Sequence, residues 1–163
     1  METFDIYQFE QGFNRGRYEI HEDRRTIVMF ERKDYYGKLV IPDDPELVCR
    51  QITFFPDTLT VQCEGAYLKG YNLLIGTWTT YDREGEVVGE DNMDKGYDIT
   101  WEELKGILLT QGIRMNEVKR LFRQTNEDNK KVWLAIVKHP DGKGESVVVD
   151  GQSGEILERE TLL

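Results

Sequence analysis

The strongest constraint on the fold is a succession of short strand-like runs that fills the first two-thirds of the chain. Seven runs rich in β-branched and aromatic residues lie before residue 100, and turn formers follow each of them within a few residues. Proline and aspartate mark the loop at 42–45, and the stretch 82–85 ends in a glycine. Short connections of this kind predict an antiparallel β meander.

The meander contains an internal repeat. Shifting the chain by 26 positions (81 − 55) aligns six pairs of like residues, which are Thr53 with Thr79, Phe55 with Tyr81, Val61 with Val87, Glu64 with Glu90, Lys69 with Lys95, and Gly70 with Gly96. A single hairpin cannot bury its own apolar face, so two copies of this unit predict successive hairpins within one sheet.

A helix is predicted after Ile99. Thr100 and Glu103 form a capping box, and apolar residues then recur at helical spacing until Gly112. Further strand-like runs follow around polar turns at 126–129, 141–142 and 151–154. The segment 116–124 also has helical spacing and could form a second helix, although we favour a strand. The predicted fold is α+β: an antiparallel β meander followed by one amphipathic helix packed on a further antiparallel sheet.

A chain of 163 residues is long enough to bury its own core. We therefore expect a single compact domain over 1–163, with β-rich hairpins in 1–98 and a helix plus sheet in 99–163. Cys49 and Cys63 lie in neighbouring strand-like segments and could pair. A reducing compartment favours two small buried hydrophobic residues instead.

No apolar run approaches the roughly 18 residues that a membrane helix needs, and the first residues lack the pattern of a secretion signal. We expect a cytoplasmic protein. With 31 acidic and 21 basic residues, the chain carries a formal charge of −10. This excess argues against binding to nucleic acid or to a membrane, because both require clustered lysine and arginine. It favours a basic partner, or simply solubility.

The excess charge is concentrated in one part of the chain. Residues 1–99 carry 20 acids and 11 bases, a net charge of −9, whereas residues 100–163 carry 11 acids and 10 bases, a net charge of −1. Within 82–98, seven acids face two bases, which gives −5. A patch of this sign is expected to raise the association rate with a basic partner and to weaken with salt.

Residues 76–87 resemble the MORN-variant repeat. That repeat has a Gly-x-Trp-x-x-Tyr strand, an Asp-x-x-Gly turn and a returning strand; here Gly76, Trp78 and Tyr81 stand in the strand, and Asp82 and Gly85 in the turn. With the earlier copy, the resemblance spans 52–96. In cytoplasmic bacterial proteins such repeats look like those of antitoxin or immunity components, which implies a binding function.

Residues 100–160 resemble a PepSY-like module, in which a helix precedes a sheet that ends in a Val-Asp strand and a Thr/Ser-Gly turn. The matching residues are the run 132–137, then Val149-Asp150 and Ser153-Gly154. Both families are binding or scaffolding modules, so the two resemblances imply a protein that is not an enzyme.

No catalytic motif stands out. His21 and His139 have no partner at motif spacing, and we expect both to be solvated loop residues. The oxygen-rich stretches 90–94 and 126–129 lack the spacing of a calcium loop. We therefore expect no catalytic residue, no metal and no cofactor.

The sequence thus predicts a bacterial immunity protein that neutralises a cognate basic toxin through an acidic surface, and it leaves the oligomeric state open. The alternative is a MORN- or PepSY-type scaffold or peptide-binding module that acts by strand addition. The predicted partner-binding residues are six acids and three aromatic residues, namely Asp82, Glu84, Glu86, Glu90, Asp91, Asp94, Trp78, Tyr81 and Tyr97. For Trp78, packing inside the sheet is the alternative to an interface role.

Overall fold

In a computed structural model, which describes residues 1–162, the chain forms two antiparallel sheets with 11 strands in all and two short α-helices. It divides into two compact units, Met1–Met93 and Asp94–Leu163. The division lies five residues (98 − 93) before the predicted boundary between the two regions. That the whole chain forms one domain stays a prediction.

The first unit holds a seven-stranded sheet in which the strands lie in chain order. Every neighbouring pair is antiparallel, so the predicted meander is confirmed. Because each strand pairs with the next, β1 and β7 form the two edges. The strands are β1 (Arg17–Glu22), β2 (Arg25–Glu31), β3 (Tyr36–Pro42), β4 (Val48–Phe54), β5 (Val61–Leu68), β6 (Leu73–Tyr81) and β7 (Val87–Asn92).

An N-terminal helix, α1 (Ile6–Gly12), precedes this sheet, and the prediction of one helix is therefore wrong. Its N-cap is Asp5, whose Oδ1 accepts the Gln8 amide at 2.8 Å. Phe4 and Phe9 are buried in one core cluster with side chains of β2 and β4. The segment therefore covers one face of the sheet, and its seven residues form too short a pattern to predict a helix from the sequence.

The second unit begins with α2 (Trp101–Thr110). The predicted capping box is confirmed, since Thr100 Oγ1 accepts the Glu103 amide at 3.2 Å and the Thr100 amide donates to Glu103 Oε2 at 2.8 Å. Gly112 follows the helix with a φ of 78°, a value that favours glycine. The buried residues of α2 are Trp101, Leu104 and Leu108.

A four-stranded sheet completes this unit, in the order β11-β10-β9-β8. Its strands are β8 (Val118–Thr125), β9 (Lys131–Lys138), β10 (Gly144–Asp150) and β11 (Ile156–Leu162). A 3₁₀ turn, Met115–Glu117, precedes β8, and the strand favoured for 116–124 is confirmed from Val118 onwards. A register shift between Val118 and Arg120 puts Val118 and Leu121 on the same buried face, which explains the helical spacing in the sequence.

The two cysteines do not form a disulfide. Cys49 lies opposite Tyr67, and Cys63 opposite Thr53, so the two thiols are not cross-strand partners. Cys49 is fully buried as expected, and burial raises the pKa of its thiol. Cys63 is only half-buried.

Across residues 1–162, no helix has both the length and the apolar character needed to cross a membrane.

Candidate functional site

Four of the predicted partner-binding carboxylates lie along one edge of the seven-stranded sheet. Glu84 and Glu86 belong to the turn between β6 and β7, and Glu90 and Asp91 belong to β7 itself. All four are exposed, and none forms an ion pair within residues 1–162. We call this set the acidic edge.

The backbone of β7 has one side open to solvent. Thr79 lies opposite Glu90 and Trp78 opposite Asp91 in the pairing with β6. The Met93 amide donates to Gly76 O at 2.9 Å, so Met93 bonds to β6. In an antiparallel pair, every second residue bonds to the neighbouring strand. Asp91 therefore bonds to β6, and the backbone N–H and C=O of Glu90 point away from it. All six residues of β7 are exposed.

Asp82 forms hydrogen bonds within the turn between β6 and β7. Its Oδ1 accepts the Glu86 amide at 2.8 Å, and its own amide donates to Glu86 O at 2.9 Å. The Gly85 amide also donates to Asp82 O, at 3.1 Å. The half-buried Asp82 therefore closes the β6–β7 turn and positions Glu84 and Glu86.

Trp78 packs across the neighbouring strand. A Cβ atom at Gly65 would lie 2.2 Å from Trp78 Cδ2, so the indole ring occupies the space that a side chain of β5 would fill. The indole Nε1 donates to Ala66 O at 3.1 Å. The residue is half-buried and stands outside the core cluster of this unit. Trp78 is therefore attached to the sheet surface next to Asp91.

Tyr81 packs against the core cluster and is also tied to an ionic network. Its hydroxyl donates to Glu64 Oε1 at 2.9 Å, and this hydrogen bond raises the pKa of Tyr81. Burial alone would raise the pKa of Glu64, but the hydrogen bond from Arg50, at 2.5 Å, holds it below the usual value. Glu2 joins the network by pairing with Arg50 at 3.3 Å and with Lys38 at 2.7 Å.

Asp94 and Tyr97 contact other residues of the second unit. Asp94 forms an ion pair with Arg123, whose guanidinium lies over the Tyr97 ring at 4.9 Å and over the Trp133 ring at 4.4 Å. The Tyr97 and Trp133 rings meet edge to face at 5.5 Å. Burial raises the pKa of the Tyr97 hydroxyl, which donates to Val132 O at 3.3 Å. Asp94 thus forms an ion pair and Tyr97 packs against Trp133, and the sequence indicated neither contact.

A cluster of four charged groups was missed at the sequence level. His139 Nδ1 lies 3.1 Å from Glu117 Oε1, and its Nε2 lies 2.6 Å from Glu145 Oε1. Arg159 donates to both oxygens of Glu145, from Nε to Oε2 at 2.6 Å and from Nη2 to Oε1 at 2.8 Å. The prediction of a solvated loop is wrong for His139, since its side chain is 24% exposed and lies between two carboxylates.

Each partner in this cluster changes the titration of the others. The hydrogen bonds to Glu145 and then to Glu117 raise the pKa of His139. The Arg159 guanidinium is the main cause of the lowered pKa of Glu145, and the Arg114 amide is the main cause of the lowered pKa of Glu117. One signal was present in the sequence: Glu145 stands two and four positions before Val147 and Val149, so it shares the face of β10 that these valines bury.

His21 has a different environment. It is exposed at the end of β1, and its Nδ1 lies 3.1 Å from the hydroxyl of Thr26. The expectation of an exposed residue is confirmed for this histidine.

The described residues offer two concave regions of note. A cavity of about 580 Å³ lies beside the β8–β9 turn, lined among others by Glu127, Lys130 and Glu158. A smaller one of about 260 Å³ lies under the N-terminal segment, lined among others by Asp5 and Lys38. Within residues 1–162, no three side chains of the histidine, cysteine, aspartate or glutamate type are placed to share a metal ion.

No known protein family matches the chain, and no curated protein matches it either. Among solved structures, the YpmB protein from Bacillus subtilis is similar at 13% sequence identity, over 90% of this chain and 82% of that one, with a TM-score of 0.36. A likeness at this level carries no inference about the fold or the activity of the present chain.

Proposed function

We propose that this is a non-enzymatic binding protein whose acidic edge docks a basic protein partner. The observation that carries the proposal is the placement of Glu84, Glu86, Glu90 and Asp91, four exposed carboxylates without an internal counter-ion at an open sheet edge. Structural acids of the same unit, such as Glu64 and Glu2, have basic partners instead.

Electrostatics gives this edge its expected role. Uncompensated charges of one sign raise the encounter rate with a partner of the other sign, by roughly 10- to 1000-fold in favourable cases. Exposed charges act over a screening length of only about 8 Å at physiological salt. The edge should therefore determine how fast the partner arrives, and anchors such as the nearby Trp78 should determine how long it stays.

The most specific form of the proposal is a bacterial immunity protein that neutralises a basic toxin in the cytoplasm. The MORN-variant resemblance of 52–96 and the PepSY-like resemblance of 100–160 support a binding role in place of catalysis. The finer architecture belongs to the same proposal, with α2 covering one face of the four-stranded sheet. In its support, a Cβ atom at Gly154 would lie 2.8 Å from Ile107 Cδ1 of the helix. We expect binding to neither nucleic acid nor membrane.

Strand addition is the second candidate, and the open backbone of Glu90 favours it. A partner strand could pair with the outer side of β7 through main-chain hydrogen bonds. Acidic residues along a sheet edge also discourage pairing with unrelated or like-charged strands. In this mode, backbone hydrogen bonds would carry the affinity and salt would change it little.

Two charge-matched variants test the leading proposal. In the first, Glu84, Glu86, Glu90 and Asp91 are all replaced by lysine. In the second, lysine replaces four exposed acids of the other unit, Glu127, Asp128, Glu155 and Glu158. Each variant changes the formal charge from −10 to −2 (−10 + 4 × 2), so they differ only in where the charge is reversed.

The partner is first captured from source cells with the wild-type protein, and the purified pair is then used to measure affinity. We expect the first variant to lose affinity and the second to retain it. If the partner alone arrests growth of a host cell, co-expression of the wild-type protein should relieve the arrest and the first variant should not. Equal affinities of both variants and the wild type would contradict the proposal, as would failure to capture any basic protein.

Ionic strength separates the two candidates. Affinity that falls steeply with salt supports electrostatic docking at the acidic edge. Affinity that is insensitive to salt, is abolished by Glu90→Pro and is retained by Glu90→Gln supports strand addition, because only proline removes the outward backbone donor of β7.

A further inference from the structure

The cluster around His139 joins four separate parts of the second unit. Glu117 ends the 3₁₀ turn before β8, His139 follows β9, Glu145 belongs to β10, and Arg159 belongs to β11. Arg159 also reaches the start of the connection between α2 and β8, since its Nη1 donates to Gln111 O at 3.3 Å. The connection 111–117 is thus held at both ends by this one cluster.

The geometry specifies the charge state of the imidazole. Both ring nitrogens face carboxylate oxygens, at 3.1 and 2.6 Å. A neutral imidazole has a single N–H and can donate to only one of them, whereas an imidazolium donates to both. In the neutral form, a nitrogen lone pair would face a carboxylate, which is repulsive.

We propose that His139 is a pH-operated latch, which in its protonated form clamps the α2–β8 connection to the β9–β10 hairpin through Glu117. Deprotonation leaves one N–H, and the released proton goes to solvent. The shorter contact, to Glu145, keeps that N–H, because Arg159 fixes Glu145 in place. Glu117 then faces a lone pair and swings away, which frees the end of the connection.

The charged groups around the imidazole favour this behaviour. Glu117 comes from the 3₁₀ turn, Glu145 from β10, and Arg159 lies behind Glu145 on β11. Of the other charged groups near the cluster, Lys119 Nζ donates to Asn116 O at 3.0 Å, Asp141 and Lys143 pair with each other at 3.8 Å in the hairpin loop, and Lys138 is exposed. The exposed Arg114 guanidinium also lowers the pKa of Glu117, by less than the Arg114 amide does.

The pH range follows from the direction of each shift. The pKa of His139 is raised above its ordinary value of 6.5, so the latch is closed below that pH and opens as the pH rises through the raised value. The pKa values of Glu117 and Glu145 lie below their ordinary 4.5, so the latch also opens in acid, as the pH falls through those lowered values.

Hydrogen exchange at the Arg114 amide reports the position of Glu117, because this amide donates to Glu117 Oε2 at 2.7 Å. Nuclear magnetic resonance on the full chain gives the ring-nitrogen titration of His139 and the protection factor of that amide at each pH. We expect His139 to titrate above 6.5 and the Arg114 amide to lose protection several-fold in the same transition. Protection factors remove the intrinsic pH dependence of exchange.

Two variants and one control complete the test. In Glu117→Gln and His139→Gln, the transition at Arg114 should disappear, while His21→Gln, at the exposed histidine, should leave it unchanged. If a variant fails to fold, the wild-type titration of His139 and the protection of the Arg114 amide still test the latch. Arg114 protection that stays constant while His139 titrates would overturn the latch, as would a titration of His139 at or below 6.5.

Discussion

Replacement of Gly65 by alanine is the most direct perturbation of the surface beside the acidic edge. Gly65 lies in β5 under the indole of Trp78, and the added Cβ would come within 2.2 Å of Cδ2, closer than any real contact. The backbone of Gly65 does not have a positive φ, so alanine itself brings no backbone strain. Relief is possible only if Trp78 or its strand moves.

The cost has two parts. Overpacking of a filled site typically costs about 1–3 kcal/mol. Displacement of the ring also endangers the hydrogen bond from Trp78 Nε1 to Ala66 O, and such a bond contributes roughly 0.5–1.5 kcal/mol. Alanine in a strand is more stabilising than glycine by about 0.5–1 kcal/mol, which offsets part of this cost. We therefore expect Gly65→Ala to lower the free energy of unfolding by about 2 kcal/mol in total, within a range of about 0.5–4 kcal/mol.

Urea denaturation followed by tryptophan fluorescence measures this change. Gly89→Ala is the matched control: that glycine is exposed in β7, and its added Cβ would be 3.9 Å from the nearest atom, Thr80 Cβ. The control should gain about 0.5–1 kcal/mol, because it has the strand advantage of alanine over glycine without the overpacking. In a Trp78→Ala background, Gly65→Ala should cost much less. An unchanged cost in that background would refute the assignment of Trp78 to the Gly65 site.

Three further predictions concern the rest of the molecule. Leu108→Ala should cost about 2–5 kcal/mol in urea denaturation because Leu108 is fully buried, whereas Leu109→Ala, at 60% exposure, should be close to neutral. Glu64→Gln should lower the pKa of Tyr81 towards its ordinary value, as observed by ultraviolet titration of tyrosinate. Asp150→Ala removes the acceptor of two turn amides and should cost about 1–3 kcal/mol near neutral pH. Because those amides lower the pKa of Asp150, the wild type should lose this advantage as the pH falls below 3.8, and an unchanged difference in acid would contradict the assignment.

The strands and α2 could be predicted because local chemistry specifies them. Each hairpin has turn formers between β-branched runs, and the capping box at Thr100 fixes the start of the helix. By contrast, α1 depends on tertiary packing, since seven residues are too few for a stable isolated helix and Phe9 is held by the core cluster.

The candidate site could be predicted only in part. The acidity of 82–91 is visible in the sequence, but the position of β7 at a sheet edge depends on the order of seven strands. The roles of Asp82 in its turn and of Asp94 beside Arg123 depend on three-dimensional contacts. For His139 the difficulty is sequence separation, because Glu117 lies 22 positions away and no motif links the two.

The association rate with the captured basic partner tests the central claim most directly. It is measured by stopped flow as a function of ionic strength, for the wild type and the two charge-matched variants. We expect reversal of the acidic edge to slow association by about tenfold or more at low salt and to abolish its salt dependence, while the control variant stays close to the wild type. Equal slowing of both variants would show that only net charge matters and would contradict a specific acidic docking edge.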